Sequence, residues 1–266
     1  MSEVRLSLAI MHLTTDSWRR SMVADQIRRM GGVETLNRET EYWEVTKDTL
    51  GAGPWPTARR AWLASLRAPR ATHHVIVQDD ALLCRDFLPG LKAALSEVPE
   101  AVVSLFTIHD KVAEAQKAGF SWIQQRDDVW GLGIAMPSAW APEFVRWCDT
   151  HIPPGYLHDE RRVAIWMLAN DRACFSPVPS LMEHAGATRS TLGHNDARCV
   201  ASWFIGADSS ALDVDWSLGL DSPIYATTEY TLSRRMADVA RSTARDSTRT
   251  QARTAAVLER HERRVR

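Results

Sequence analysis

Two carboxylates stand side by side at Asp79 and Asp80, directly after the apolar run His74–Gln78 (HVIVQ). Successive strand residues face opposite sides of a sheet, so two acids at a strand end can do two jobs. One can grip a divalent cation while the other holds a hydroxyl or a supporting group. Magnesium and manganese take carboxylate oxygens and keep positions open for phosphates. An ion held that way neutralises a diphosphate as it leaves. The competing use of the pair is to cap the following turn, ALLCRDF, without any metal. Further along, Asp159 precedes the helical run ERRVAIWML and is placed to cap it.

These side chains need a scaffold, and the chain alternates the elements that build one. Arg5–His12 reads as a buried parallel strand, and Trp18–Met30 as a helix with apolar spacing at Met22, Val23, Ile27 and Met30, stopped by Gly31-Gly32. Tyr42–Thr46 is a second strand. Gly51–Pro56 is a rigid loop, and Thr57 can cap a helix over ARRAWLASL. His74–Gln78 is a third strand, Phe87–Val98 an amphipathic helix, Ala101–Ile108 a fourth strand and Lys111–Ala118 a short helix. Trp130–Pro137 reads as a strand with glycines where a ligand or another backbone must approach closely. Helices follow at Ala139–Thr150 and Glu160–Leu168, then strand-like residues at Ala173–Phe175. The alternation predicts an α/β fold with a doubly wound, mostly parallel central sheet flanked by helices. Ligands of such sheets bind beyond the carboxyl ends of the strands, which points at His12–Arg20, Thr46–Asp48 and Asp79-Asp80 together.

Length and charge set the outer limits. The 266 residues divide into a domain over 1–232 and an Arg-rich helical tail over 233–266, whose residues from 234 on carry ten arginines against four acids. The whole chain totals −1, so the body is acidic. A tail of this kind can contact phosphates, or it can be a solvated helix. No apolar run approaches the roughly 18–20 residues that span a bilayer, and the first residues read as a strand and not a signal peptide. Four scattered cysteines without a CxxC pair suggest buried free thiols in a reducing cytoplasm and exclude a zinc-ribbon arrangement.

The stretch HHVIVQDDALLCRDFLPGLKAAL resembles the DXD region of GT-A-fold glycosyltransferases, with Gln78-Asp79-Asp80 as the motif and Gln in place of the usual first acid. WPTARRAWLASLRAPRATHH and PSLMEHAGATRSTLGH are similar to segments of the same group, as found in phages and actinobacteria. The resemblance implies transfer of a sugar from a nucleotide-diphosphate sugar (a UDP-sugar, for instance) to a hydroxyl, with Mn²⁺ or Mg²⁺ as cofactor. It implies that Asp80 and His184 ligate the metal, with His194 the rival histidine. It places Thr14, Arg19, Asp48, Arg59, Gln78, Asp79, Ser190 and His194 around the donor, Asp159 as the base with Glu160 in reserve, and Trp130 and Gly131 at the acceptor. A glycan, a lipid-linked sugar, a small-molecule hydroxyl or hydroxymethylated phage DNA would all serve as acceptor. Two other classes remain open at this point. Nucleotidyl transfer uses a similar sheet, although MHLTTDSWRR has neither the glycine nor the lysine of a phosphate loop. A non-catalytic sugar- or nucleotide-binding module is the other.

Overall fold

Strands that are apolar on both faces need a cover on both sides, and this chain supplies it with helices. The computed structural model describes residues 3–14, 16–48, 53–185, 199–221, 223–226 and 231–243. In chain order the elements are β1 (Leu6–Leu13), α1 (Ser17–Arg29), α2 (Gly32–Glu39), β2 (Thr40–Asp48), α3 (Pro54–Leu63), β3 (His73–Gln78), β4 (Ala81–Leu83), α4 (Phe87–Glu97) and β5 (Val102–Ser104). They continue with α5 (Lys111–Ala118), β6 (Trp122–Gln125), β7 (Gly133–Pro137), α6 (Trp140–His151), α7 (Asp159–Ala169), β8 (Cys174–Pro177), β9 (Met182–His184) and β10 (Ile224–Ala226).

The central sheet has eight strands in the order β10-β6-β8-β5-β7-β3-β1-β2, and β4 pairs with β9 in a small second sheet. The α/β class and the mostly parallel sheet are as the sequence predicts. Four neighbouring pairs are parallel and three are antiparallel. The reversed strand that matters is β7, which lies between β3 and β5 and runs against both. Its start therefore lies at the edge where β3 ends, with Gly133 opposite Val77 and the Gln78 N–H donating to the Leu132 carbonyl at 2.9 Å.

Side chains of one strand alternate between two cores, as the pleat requires. Leu8, Ile10, Val75 and Val77 join one core with Phe87 and Leu91 of α4. Ala9, Met11 and Ile76 join the other with Trp62 of α3, Phe144 of α6 and Trp166 of α7. Cys84, Cys148 and Cys174 are buried free thiols, and burial pushes each up to about 12. No helix among the described residues is long and apolar enough to cross a membrane.

Several boundaries differ from the sequence expectation for local reasons. α1 ends before Gly31 as expected, but the left-handed backbone of Gly31, φ 88°, turns the chain straight into a second helix, α2, that the sequence expectation does not include. α3 begins at Pro54 behind Gly53, so Thr57 lies inside the helix and caps nothing. β5 is shorter than predicted because only Val102–Ser104 keep strand pairing. β6 was hidden by its brevity and mixed polarity.

The predicted division at 232/233 falls at the first turn of a helix over residues 232–243 that packs on the body. Val239 is buried in the second core, and Met236 packs against it. Arg235 donates to the Asp127 carbonyl and, at 3.3 Å, to Asp128 Oδ1. Ending the chain after Thr231 removes this anchor. It is expected to lower the melting temperature by at least about 5 °C, at the usual 2–4 °C per kcal/mol for a chain of this size. Scanning fluorimetry of the truncated and the full chain checks the difference.

Candidate active site at the carboxyl edge of the sheet

α1 carries one stripe of buried residues at Arg19, Val23 and Gln26, spaced four and three apart as one helix face requires. The helix starts there because Asp16 accepts the Trp18 N–H at 2.8 Å and the Arg19 N–H at 3.4 Å. Both polar members of the stripe reach the acidic turn. Gln26 Nε2 donates to the carbonyls of Gln78 at 2.8 Å and Ala81 at 2.9 Å, fastening the backbone on either side of the two acids. Arg19 spreads its fork over both, with Nη1 on Asp79 Oδ1 and Nη2 on Asp80 Oδ2 at 3.0 Å. Burial alone would lower the guanidinium pKa, but the charges of Asp80 and Asp79 outweigh it and raise the value.

Asp79 is fully engaged. Its Oδ2 also accepts the Leu13 N–H at 2.7 Å and is hydrogen-bonded to His12 Nδ1 at 2.9 Å. Asp79 thus ties the end of β1 to the end of β3. Asp80 is only half engaged, because among the described residues its Oδ1 is buried without a partner. Neither acid caps a helix, since the chain continues into β4. Arg19 is expected from the sequence beside a diphosphate; here both arms of its fork lie on carboxylates.

His184 comes to this place through β9. Ala81 pairs with His184, and the Ala185 N–H donates to the Asp80 carbonyl at 2.9 Å. Among the described residues His184 Nδ1 has no partner, and its ring stands edge-on to Phe106, centroids 4.9 Å apart. Phe106 in turn meets Trp130 edge-on at 6.2 Å, and Trp130 Nε1 is likewise buried without a partner among the described residues.

The acceptor-side residues arrive from the reversed strand. A side chain at Gly131 would stand 3.0 Å from Glu160 Cβ and 3.2 Å from Gln78 Nε2, so the glycine lets these two approach. Gly133, by contrast, makes room for Met182 in the core. His158, not Asp159, is the N-cap position of α7 and gives no side-chain cap, which removes the capping explanation for Asp159. Asp159 is buried, with Oδ2 unpartnered. Burial first, then the neighbouring charge of Glu160, holds its carboxyl well above the usual range. For Glu160 burial also pushes upward, but hydrogen bonding and charge from His158, 3.6 Å away, bring it below the ordinary value.

The remaining predicted residues divide. Thr14 and Asp48 meet at the aligned ends of β1 and β2, where Thr14 Oγ1 donates to the Asp48 carbonyl at 3.3 Å and Asp48 Oδ2 accepts the Gly53 N–H at 3.2 Å. Arg59 is not brought to this edge. It forms a forked pair with Asp149 on α6, at 3.0 and 2.7 Å, on the exposed side of the helices. Ser190 and His194 lie outside the described residues. Sequence reasoning missed Gln26 and Phe106, and assigned His12 no role of its own. The signal for Gln26 was the polar residue standing on the apolar stripe of α1.

Among the described residues no three His, Cys, Asp or Glu side chains are grouped to hold a metal. Asp80 Oδ1 and His184 Nδ1 have no partner among the described residues and are the two side-chain atoms here that could take a hard divalent ion, which completes its shell with phosphate oxygens and water.

No family model matches the chain, and no curated protein does. Among solved structures, similar ones include two of S. aureus TarS. The 1–349 form gives a TM-score of 0.36 at 12% identity over 66% of this chain and 58% of that one. The other gives 0.35 at 11% identity over 65% of this chain and 35% of that one. The chain thus spans little more than half of the first and about a third of the second. At such scores the likeness carries no statement about substrate or chemistry.

Arg19 compensates two buried acids, so its loss leaves them unpaired. Arg19→Met should cost about 3–5 kcal/mol at neutral pH. Urea melts of the variant and the parent chain check the loss.

Proposed function

We propose that the protein is a glycosyltransferase that takes a sugar from a nucleotide-diphosphate sugar and gives it to a hydroxyl, with Mn²⁺ or Mg²⁺ bound beside Asp80 and His184. What supports this reading is Gly131: a side chain there would stand 3.0 Å from Glu160 Cβ and 3.2 Å from Gln78 Nε2, so the residue next to the acidic pair and the acceptor-side acid border the same glycine.

Each residue has a task that follows from its surroundings. Thr14 and Asp48, at the ends of β1 and β2, border the nucleoside. Asp79 positions Arg19, and Arg19 leaves the acid pair with one net negative charge. That balance favours a dication with a diphosphate over either alone. When bound, the ion supplies Lewis-acid stabilisation to the departing diphosphate. Asp80 and His184 are the side chains that would hold it. On the acceptor side we take Glu160 as the base, with Asp159, the first choice from sequence, beside it: His158 lowers the pKa of Glu160 while burial raises that of Asp159, so Glu160 is the more readily ionised of the two and takes the proton from the attacking hydroxyl. Trp130 forms the apolar wall of the sugar pocket.

Three outcomes test the assignment. Mn²⁺ with UDP or GDP should raise the melting temperature by roughly 5–10 °C at saturation, whereas Mn²⁺ alone should leave it unchanged, since two protein ligands hold an ion weakly. Screening nucleotide sugars for slow hydrolysis identifies the donor, and no hydrolysis of any of them would sink the proposal. Glu160→Gln should lose at least about a hundredfold in transfer while binding nucleotide normally.

Asp159→Asn should behave differently. Asp159 binds its proton more tightly folded than unfolded, so its contribution is complete below the unfolded value of about 3.9 and declines as pH rises toward the folded value. The variant should accordingly be more stable than the parent at pH 7–8, by roughly 1 kcal/mol, and equal to it near pH 4. Thermal melts across that range check the sign.

A further inference from the structure

The edge that carries the acidic pair continues across the sheet. β5 and β8 run in the direction of β3 and β6 runs against them, so the ends of β5 and β8 and the start of β6 open on the same side. A groove of about 460 Å³ lies there, lined among others by Gln116, Ser121, Pro179, Trp203, Asp213 and Asp215. Its position relative to the acidic pair is fixed by one piece of backbone. The Ser180 N–H donates to the Trp203 carbonyl at 2.8 Å, and the Ile205 N–H to the Ser180 carbonyl at 3.2 Å, so residues 203–205 lie along the chain leaving β8. From Pro179 that chain reaches His184 in five residues, at most roughly 17 Å when extended.

The lining has a definite chemistry. Trp203 is 36% exposed, which leaves an indole surface at the rim. Asp213 and Asp215 are the charged residues of the lining, and no Lys, Arg or His accompanies them among the described residues. Asp215 Oδ1 is occupied by the Ser217 N–H at 3.0 Å and by Ser217 Oγ at 2.6 Å. Among the described residues the Asp213 carboxylate has neither a hydrogen bond nor an ion pair, and its oxygens stay open as acceptors. An open indole beside acceptor and amide groups suits a polyhydroxylated ring, which offers an apolar face and many O–H donors. The uncompensated acids disfavour phosphodiester or sulfated chains, which seek basic linings.

We propose that this groove binds an uncharged saccharide segment of the acceptor, some rings away from the hydroxyl that reacts beside Glu160. The groove and the acidic pair would then hold two parts of one extended glycan. This rests on the glycosyl-transfer reading above and adds the class of acceptor to it. Trp203 stacks on one ring; Gln116 and Asp213 take its hydroxyls.

The test uses the full chain and saturation-transfer NMR. The probes are uncharged pentasaccharides of glucose, galactose, mannose and N-acetylglucosamine, with a heparin pentasaccharide and a short oligonucleotide as polyanions. An uncharged series should bind, Trp203→Ala and Asp213→Asn should each weaken it at least about tenfold, and Trp203→Tyr should restore most of it. Trp203 is at the surface, so the variants should keep the parent melting temperature and its donor hydrolysis. The proposal is overturned if no uncharged saccharide binds, if Trp203→Ala binds as the parent does, or if the polyanions compete for the groove. Absence of donor hydrolysis in the parent chain would overturn the transferase reading instead, so the two failures are told apart.

Discussion

One guanidinium, that of Arg19, lies between two buried carboxylates, and the candidate site is organised around it. Two acids side by side out of water repel each other and resist ionisation. Arg19 removes that difficulty by forking onto both, and Asp79 adds the Leu13 N–H and His12 as further partners. The consequence is an asymmetric pair. Asp79 is held fast and locks the ends of β1 and β3 together, while Asp80 keeps a buried oxygen with no partner among the described residues. A buried ion set of this kind contributes little to stability compared with apolar packing, so its presence is better explained by what it holds ready.

The second constraint is topological. An all-parallel sheet would bring only strand ends to the ligand edge. Reversing β7 between β3 and β5 brings a strand beginning there, and with it Trp130 and Gly131. Gly131 has no side chain, and Gln78 and Glu160 both border it. Beside it, burial raises the pKa of Asp159 while His158 lowers that of Glu160. Environments that split a pair of acids in this way are how proteins assign acid and base roles at neutral pH.

Much of this was legible in the sequence, and the parts that were not share a physical cause. Apolar runs with clear boundaries, such as His73–Gln78 and Leu6–Leu13, announced buried strands, and the acids after Gln78 announced the ligand edge. Asp80, His184, Trp130, Gly131 and Glu160 were named from motif resemblance; the Ala185 N–H meets the Asp80 carbonyl, Phe106 lies between His184 and Trp130, and Gly131 borders Glu160. What pattern alone did not reveal was partnership. Nothing in a one-dimensional pattern says that Arg19 meets carboxylates while Arg59 meets Asp149, because both are arginines on helices near the ligand-facing loops. Nor does it reveal strand direction: β7 reads the same forwards or backwards. The order of Asp159 and Glu160 depended on burial and on His158, which spacing does not encode. The basic tail was a matter of composition, and composition missed that Val239 is a core residue.

The most direct measurement of the central claim is anomalous diffraction from crystals soaked with Mn²⁺ and a hydrolysed nucleotide sugar. The account predicts a manganese peak bonded to Asp80 Oδ1 and the imidazole of His184, with diphosphate oxygens completing its shell and Asp79 still on Arg19. Ordered nucleotide with no metal at that edge, or manganese bound elsewhere while Asp80 stays turned wholly to Arg19, would contradict it.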